Sequence, residues 1–548
     1  MLIFLLGCTS KKETSILEDS ALQDTDSSQD NAEATWIPSY EPYNANCTQS
    51  DWTNRFEEKG AEFGLTKDIH GITEICDFCA PKGAGLIAQD FNDDGYVDLI
   101  IGNIWKKPFY YQSDASGHFT EVEFPEITLD HFSIQPQENG IWNISSTDLD
   151  GDSDWDLIFT ASGTAGFLEN REGIFQAPQF IYFEQPTGAI GTYSTSSTGD
   201  VNGDGKMDIL LTSTGATGCV NYDQLENKSP VNMDKWKDIL LLQKNDLTFE
   251  PIELFTDEEG SNSHIGIFTD LDRDGDVDIY IPKDNHGYVA FWENLGNDDD
   301  RLPMFQNSAS DYVIDVECRG MGYDIADINF DGEIDFCLSC LGIPFCLLND
   351  GFGQFYEAQQ SLGFSIESHG SNQPSVGWAA WIHDFNNDGL LDYVWAAGET
   401  NGEHDQYDLL WTGEPNGQFL ERSFQAGFED IRDNYGLVSY DFNGDHYLDI
   451  LTVGPRHKPA LWINKGGDCS WLEAQVPSKY ANGFIEVEAN GKKYIKEVLQ
   501  NSGQTQNPNI VHFGLNNASM IEAVRLIWRD SIVAEYKDIG AGQRVVFQ

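Results

Sequence analysis

Positive charge is scarce in this sequence. Lys and Arg number 31 against 91 Asp and Glu, for a formal net charge of −60. A chain this acidic repels a phosphate backbone, which excludes nucleic acid as a partner. So large a charge also strains a compact fold unless cations neutralise part of it. Long hydrophobic runs are missing too, and beyond the first residues no stretch approaches the roughly 18 apolar residues that a membrane-spanning helix needs. Neither a Gly-x-Ser-x-Gly elbow nor a His-Glu-x-x-His pair occurs, which removes two local signatures of a hydrolase. Apolar residues are not lacking: 40% of the chain is hydrophobic and 12% aromatic, more than a disordered acidic chain carries. Its 548 residues allow several domains or one large closed repeat array.

Low apolar content is confined to the start. Residues 9–50 are rich in Ser, Thr, Asp and Glu and poor in apolar residues, cannot offset the entropy of ordering, and read as a flexible acidic tether. Before them, an apolar run ends in Leu5-Leu6-Gly7-Cys8, which resembles the lipobox of bacterial lipoproteins. That resemblance implies removal of a signal segment within residues 1–8 and lipidation of Cys8, while Thr9 in place of Asp implies sorting to the outer membrane. The expected location is therefore exported, periplasmic or surface-exposed, with the lipid anchor as the sole membrane contact. Nine further cysteines follow: Cys47, Cys76, Cys79, Cys219, Cys318, Cys337, Cys340, Cys346 and Cys469. Disulfides are the default in an oxidising compartment, and an odd number leaves one thiol free or paired between chains. Cys76/Cys79 and Cys337/Cys340 share the two-residue spacing of zinc and redox sites.

The dominant feature is an aspartate-rich segment that recurs seven times. Its first aspartates are 58, 52, 70, 57, 57 and 57 residues apart. Numbered from that aspartate, positions 1, 3, 5, 7 and 9 are Asp90, Asn92, Asp94, Tyr96 and Asp98 in loop 1, and Asp148, Asp150, Asp152, Asp154 and Asp156 in loop 2. Loop 3 has Asp200, Asn202, Asp204, Lys206 and Asp208, and loop 4 has Asp270, Asp272, Asp274, Asp276 and Asp278. Loop 5 has Asp327, Asn329, Asp331, Glu333 and Asp335, loop 6 has Asp384, Asn386, Asp388, Leu390 and Asp392, and loop 7 has Asp441, Asn443, Asp445, Tyr447 and Asp449.

Side-chain oxygens at 1, 3 and 5, a turn-forming Gly at 6 and a backbone carbonyl at 7 reproduce the first half of an EF-hand loop, an oxygen cage suited to Ca²⁺. An EF-hand closes with Glu at position 12; here position 9 is always Asp, and position 12 is Ile101, Phe159, Leu211, Ile281, Leu338, Trp395 or Thr452. Carboxylates crowded into one loop repel each other, and a divalent ion relieves this. Up to seven structural Ca²⁺ are expected, with loops 2 and 7 weakened because Ser153 and His446 replace the Gly. Apolar residues at positions 8, 10 and 12 predict that the chain leaves each loop as a strand with one buried face.

Most repeats carry a further Gly-x-Phe strand, as at Gly173-Ile-Phe175, Gly353-Gln-Phe355 and Gly417-Gln-Phe419, and the last two have a Gly eight residues beyond the Phe. Phe56 to Gly64 has the same spacing, while the seventh repeat, ending near Ala460 to Gly467, has no such strand. Four strands per repeat suit an all-β fold, a seven-bladed β-propeller over 51–465, with the Phe56 segment completing the last blade.

These loops, together with Asn349-Asp-Gly-Phe-Gly-Gln-Phe355, resemble FG-GAP/VCBS repeats. Beyond residue 466, Val511-His-Phe-Gly-Leu515, Ile521 to Trp528 and Ala541 to Phe547 resemble the small β domain called ASPIC/UnbV, although the usual Trp-Pro-Asp-Gly is Trp528-Arg-Asp-Ser531. The resemblance implies a non-enzymatic scaffold for binding or adhesion, with a protein or glycan ligand at the cell surface. An exported hydrolase or oxidoreductase using the propeller face is the alternative. His264, His383 and His512 read as surface or packing histidines, and Trp142, Trp381 and Trp395 as blade core.

Overall fold

The computed structural model describes residue 47 and residues 52–548, except segments 70–84, 104–105, 128–140, 162–163, 183–192, 214–236, 245–246, 253–262, 284–288, 317, 319, 366–374, 399–405 and 499–500. Cys8, the acidic tether apart from Cys47, Cys76, Cys79 and Cys219 lie outside the described residues. The described chain is all-β apart from a four-residue helix, Ser423–Ala426, and a short 3₁₀ turn, Ser478–Tyr480.

Each aspartate-rich loop joins the first and second strands of an antiparallel four-stranded meander. The meanders, sheets 1 to 7, span 86–122, 141–181, 193–252, 267–307, 323–357, 377–421 and 436–464. Sheet 7 has only three strands of its own, and Phe56–Glu58 supplies the fourth, with Phe56 opposite Asn464 and Glu58 opposite Trp462. The borrowed segment reproduces the turn of sheets 5 and 6: Gly64, Gly363 and Gly427, each eight residues past the Phe, have φ of 95°, 79° and 77°. A Cβ on Gly64 would lie 2.2 Å from the Phe119 carbonyl oxygen, so only glycine fits there.

The second strand, which opens with the position-9 aspartate in every sheet, is buried along its whole length rather than on one face. This corrects the expectation of a half-buried strand, and the reason is packing on both sides. In sheet 1, Leu99 and Ile101 pack with Val438 and Leu451 of sheet 7. Ile100, pointing the other way, packs with Ile144 and Leu157 of sheet 2. A repeated hydrogen bond also joins neighbours: the side-chain amides of Asn170, Gln243, Asn294 and Asn464 donate to the position-2 carbonyls of Phe91, Leu149, Val201 and Phe385 in the preceding sheet, at 2.7–2.9 Å. Sheet 1 meets the borrowed segment where the Phe119 N–H donates to the Phe63 carbonyl at 2.7 Å.

The C-terminal residues are woven into these sheets. Strands Phe484–Ala489, Lys492–Glu497, Met520–Trp528 and Ser531–Gly540 continue the sheet of sheet 5, joined where Lys496 pairs with Ala326. Residues 496–498 and 501–507 then meet the first strand of all seven sheets. Thr505 and Gln506 pair with Leu86 and Ile87 of sheet 1, and the Gln506 amide bonds both N–H and C=O of Ser146 in sheet 2. Asn501 donates to Ser196 of sheet 3 and Thr269 of sheet 4 to Glu497. Ser502 bridges Tyr323 of sheet 5 and Ala380 of sheet 6, and Asn507 accepts from Ser439 of sheet 7.

Disulfides add one long-range and two local staples among the described residues. Cys47–Cys469 ties the start of the folded chain to the end of the repeats, Cys337–Cys346 crosses two paired strands of sheet 5, and Cys318–Cys340 closes the adjoining loop. Cys337 and Cys340 therefore belong to different bridges, so their two-residue spacing marks disulfides, the default expected of an exported chain, and not a paired zinc or redox site.

Candidate metal centres

All seven loops fold the same way because their side chains bond to their own backbone. The position-1 carboxylate accepts the N–H of position 6 in every loop: Gly95, Ser153, Gly205, Gly275, Gly332, Gly389 and His446, at 2.6–3.2 Å. The position-5 carboxylate accepts the N–H of position 7, at 2.9–3.1 Å. Such bonds pull the backbone around the oxygens of positions 1, 3 and 5 and require a left-handed residue at position 6. Ser153 (φ 78°) and His446 (φ 70°) adopt it despite carrying a Cβ, and His446 also stacks on Trp471 with ring centroids 4.1 Å apart.

The position-9 aspartate lies under the loop. In loop 5, Asp335 accepts the Ile328 N–H through Oδ2 at 2.9 Å and the Asn349 N–H through Oδ1 at 2.8 Å, tying the loop's start to the end of the third strand. Asp156, Asp208, Asp278, Asp392 and Asp449 repeat both bonds. Burial, and then the nearby acids, raise these carboxyls: Asp98 to about 7, Asp156 and Asp208 to about 8, and Asp278, Asp335, Asp392 and Asp449 well above the usual range. At position 1, burial lifts Asp270 and Asp327 to about 7. Negative charge is thus costly in these loops.

The donor set fits a hard divalent cation. One oxygen each from Asp148, Asp150 and Asp152 lie within 4.8 Å of one another, as do oxygens of Asp270, Asp272 and Asp278. Ligands about 2.4 Å from a shared Ca²⁺ are at most about 4.8 Å apart. Side chains at position 7 stand outside the cluster: Tyr96 is exposed, Lys206 pairs with Asp204 at 3.1 Å, and the Tyr447 hydroxyl accepts the Cys469 N–H at 2.7 Å. In loops 1, 3 and 7 this leaves the position-7 carbonyl, the atom an EF-hand loop uses, whereas loops 2, 4 and 5 carry a further carboxylate there, Asp154, Asp276 and Glu333.

An FG-GAP-like repeat model matches residues 90–159, 148–211 and 384–452, and an ASPIC and UnbV model matches residues 480–548. The chain carries FG-GAP-like repeats and an ASPIC/UnbV domain. Among curated relatives, it is 24% identical over 416 residues to the T-cell immunomodulatory protein of Rattus norvegicus, covering 70% of this chain and 62% of that one. Identity to cartilage acidic protein 1 of Xenopus tropicalis is 29% over 167 residues, 28% of this chain and 24% of the relative. The chain thus spans less than two thirds of these relatives. Similar solved structures include an Agrocybe aegerita lectin described as recognising non-reducing terminal N-acetylglucosamine, with a TM-score of 0.41 and 14% identity, covering 70% of this chain and 91% of that one. A Penicillium chrysogenum α-L-arabinanase complexed with arabinobiose has a TM-score of 0.35 and 10% identity, with 73% and 98% covered.

Basic residues from outside the FG-GAP-like loops lie beside them. Arg529 of the ASPIC/UnbV domain donates to the Asp200 carbonyl at 2.8 Å and lies 3.6 Å from Asp276, between loops 3 and 4. Lys492 of the same domain donates to the Gly389 carbonyl in loop 6 at 2.8 Å and lies 3.8 Å from the Phe330 ring in loop 5. Arg55, next to the borrowed strand, reaches the Phe385 carbonyl in loop 6. None of these three was singled out from sequence. Their signal, a cation distant in sequence from the acid it meets, has no local pattern. His383 and His512 are buried: the first bonds Lys496 and Asn507, and the second bonds Asn387 at 2.7 Å.

Proposed function

We propose that this chain is a calcium-stabilised, non-enzymatic scaffold, a closed seven-bladed β-propeller that presents a binding or adhesion surface to protein or glycan partners at the cell envelope. The observation carrying this reading is the sevenfold repetition of one oxygen-lined loop at the first turn of every sheet. Calcium bound there supplies positive charge, and seven ions, 14 positive charges in all, would bring the formal net charge from −60 to about −46. Ring closure is supported by the borrowed strand of sheet 7 and by residues 496–498 and 501–507, which can touch seven first strands only if those strands converge. The buried, hydrogen-bonded state of His383 and His512 favours a scaffold over a catalyst.

Envelope display, with Cys8 as the lipidated residue, belongs to the same proposal. Calcium content per chain after dialysis into calcium-containing buffer tests it at the metal. A value approaching seven is expected, and a metal-free protein that is fully folded contradicts it.

A further inference from the structure

Loop 6 is enclosed where the other six loops are open. The position-5 aspartate is exposed in loops 1 to 5 and in loop 7, but in loop 6 no residue from Asp384 to Asp392 is exposed, and Asn387 at position 4 is fully buried. The space left beside Asp384, bordered also by Tyr494 and Phe513, is about 20 Å³, room for one water. Asp90 and Asp148 of loops 1 and 2, by contrast, border a cavity of about 400 Å³.

The cover comes from the ASPIC/UnbV domain. The Asn516 N–H and side-chain amide donate to the Asn387 and Asp388 carbonyls, both at 2.9 Å. Lys492 donates to the Gly389 carbonyl at 2.8 Å, and His512 Nε2 bonds Asn387 Oδ1 at 2.7 Å. The carbonyls of positions 4, 5 and 6 are thus all held from outside the loop. Gly514 lies directly against it: a Cβ there would stand 1.9 Å from Asp384 Oδ2 and 2.5 Å from Asn387 Cα, so only glycine lets the strand Ile510–Asn516 come this close.

We infer that the ASPIC/UnbV domain locks the calcium of loop 6 in place, so that this ion leaves only when the domain lifts from the loop. The inference rests on the calcium reading and deepens it, dividing the ions into exchangeable ones and one that is occluded. Loop 6 keeps the donor set, Asp384, Asn386 and Asp388, with the same position-1 and position-5 hydrogen bonds as the other loops. The covering bonds go to the carbonyls of positions 4, 5 and 6 and to the position-4 side chain, none of which is a ligand atom in the EF-hand pattern. Arg55 likewise bonds the position-2 carbonyl of Phe385. An ion in an open loop trades its ligands for water directly. In loop 6, water enters or a ligand swings out only after the covering bonds break and the strand moves away, which is a local opening of the fold.

The test is calcium release from the full chain, loaded with Ca²⁺ and mixed with an excess of a fluorescent chelator, followed by stopped flow and then over hours. Fast release from the open loops is expected, then a slow phase of one ion per chain, about a hundredfold slower or more because several hydrogen bonds must open first. Asp388→Asn should abolish the slow phase, whereas Asp94→Asn in loop 1 should reduce the fast phase alone. Asn516→Gly keeps the left-handed backbone of that position (φ 53°) and removes one covering bond. Combined with Lys492→Met, it should speed the slow phase by about tenfold or more while its amplitude stays at one ion. The rate and amplitude of the parent protein are read without any variant, so a variant that fails to fold does not spoil the test. Release in a single fast phase, a slow phase lost in Asp94→Asn instead of Asp388→Asn, or a slow rate unmoved in the double variant overturns the inference. In each of those cases calcium is still bound, and the scaffold reading stands. A chain that releases no calcium overturns both.

Discussion

At the scale of single residues, the position-9 aspartate and the position-6 turn have separate jobs. Removing the Asp335 side chain leaves the N–H groups of Ile328 and Asn349 buried and unpartnered, so Asp335→Ala is expected to cost about 3 kcal/mol or more in chemical denaturation. A change within about 0.5 kcal/mol, the usual range for inconsequential surface substitutions, contradicts that role. Position 6 points the other way. Ser153 pays the strain of a left-handed conformation at φ 78° without the stacking that accompanies His446. Ser153→Gly should therefore raise stability by about 1 kcal/mol, read as a higher melting temperature in calcium. The departures from Gly in both loops were readable from sequence. The double hydrogen bond of position 9 was not, because its second donor arrives on the third strand, 14 residues after Asp335 and 35 after Asp208.

Among elements, the borrowed strand was the more legible feature and the C-terminal thread the less. Phe56 to Gly64 repeats a spacing found in two other copies, so the missing fourth strand of sheet 7 could be found by counting. Deleting residues 51–65 exposes the edge of Ala460–Asn464 and removes Phe56 from its packing with Phe385 and Phe428. Loss of soluble, cooperatively folding protein is expected, and a deletion variant with an unaltered melt contradicts the role of this strand. Residues 501–509, by contrast, are rich in Asn, Ser, Gln and Thr and carry no apolar pattern or motif. They are buried because backbone groups of the first strands need polar partners, and short amide and hydroxyl side chains satisfy them one by one. Local composition carries no sign of this, since the need lies on seven distant strands.

For the whole molecule, the constraint is charge. Seven acidic loops at matching turns place buried carboxylates around the sheets, and Arg55, Lys492 and Arg529 offset only part of that charge. An ion that binds only the folded state stabilises it by mass action, by about 2.7 kcal/mol per site at a hundredfold excess over its dissociation constant. The most direct measurement is thermal unfolding of the full chain in millimolar Ca²⁺ and again in excess chelator. The account predicts a large fall in melting temperature on chelation, reversed by added calcium. Superimposable melts under the two conditions would contradict it.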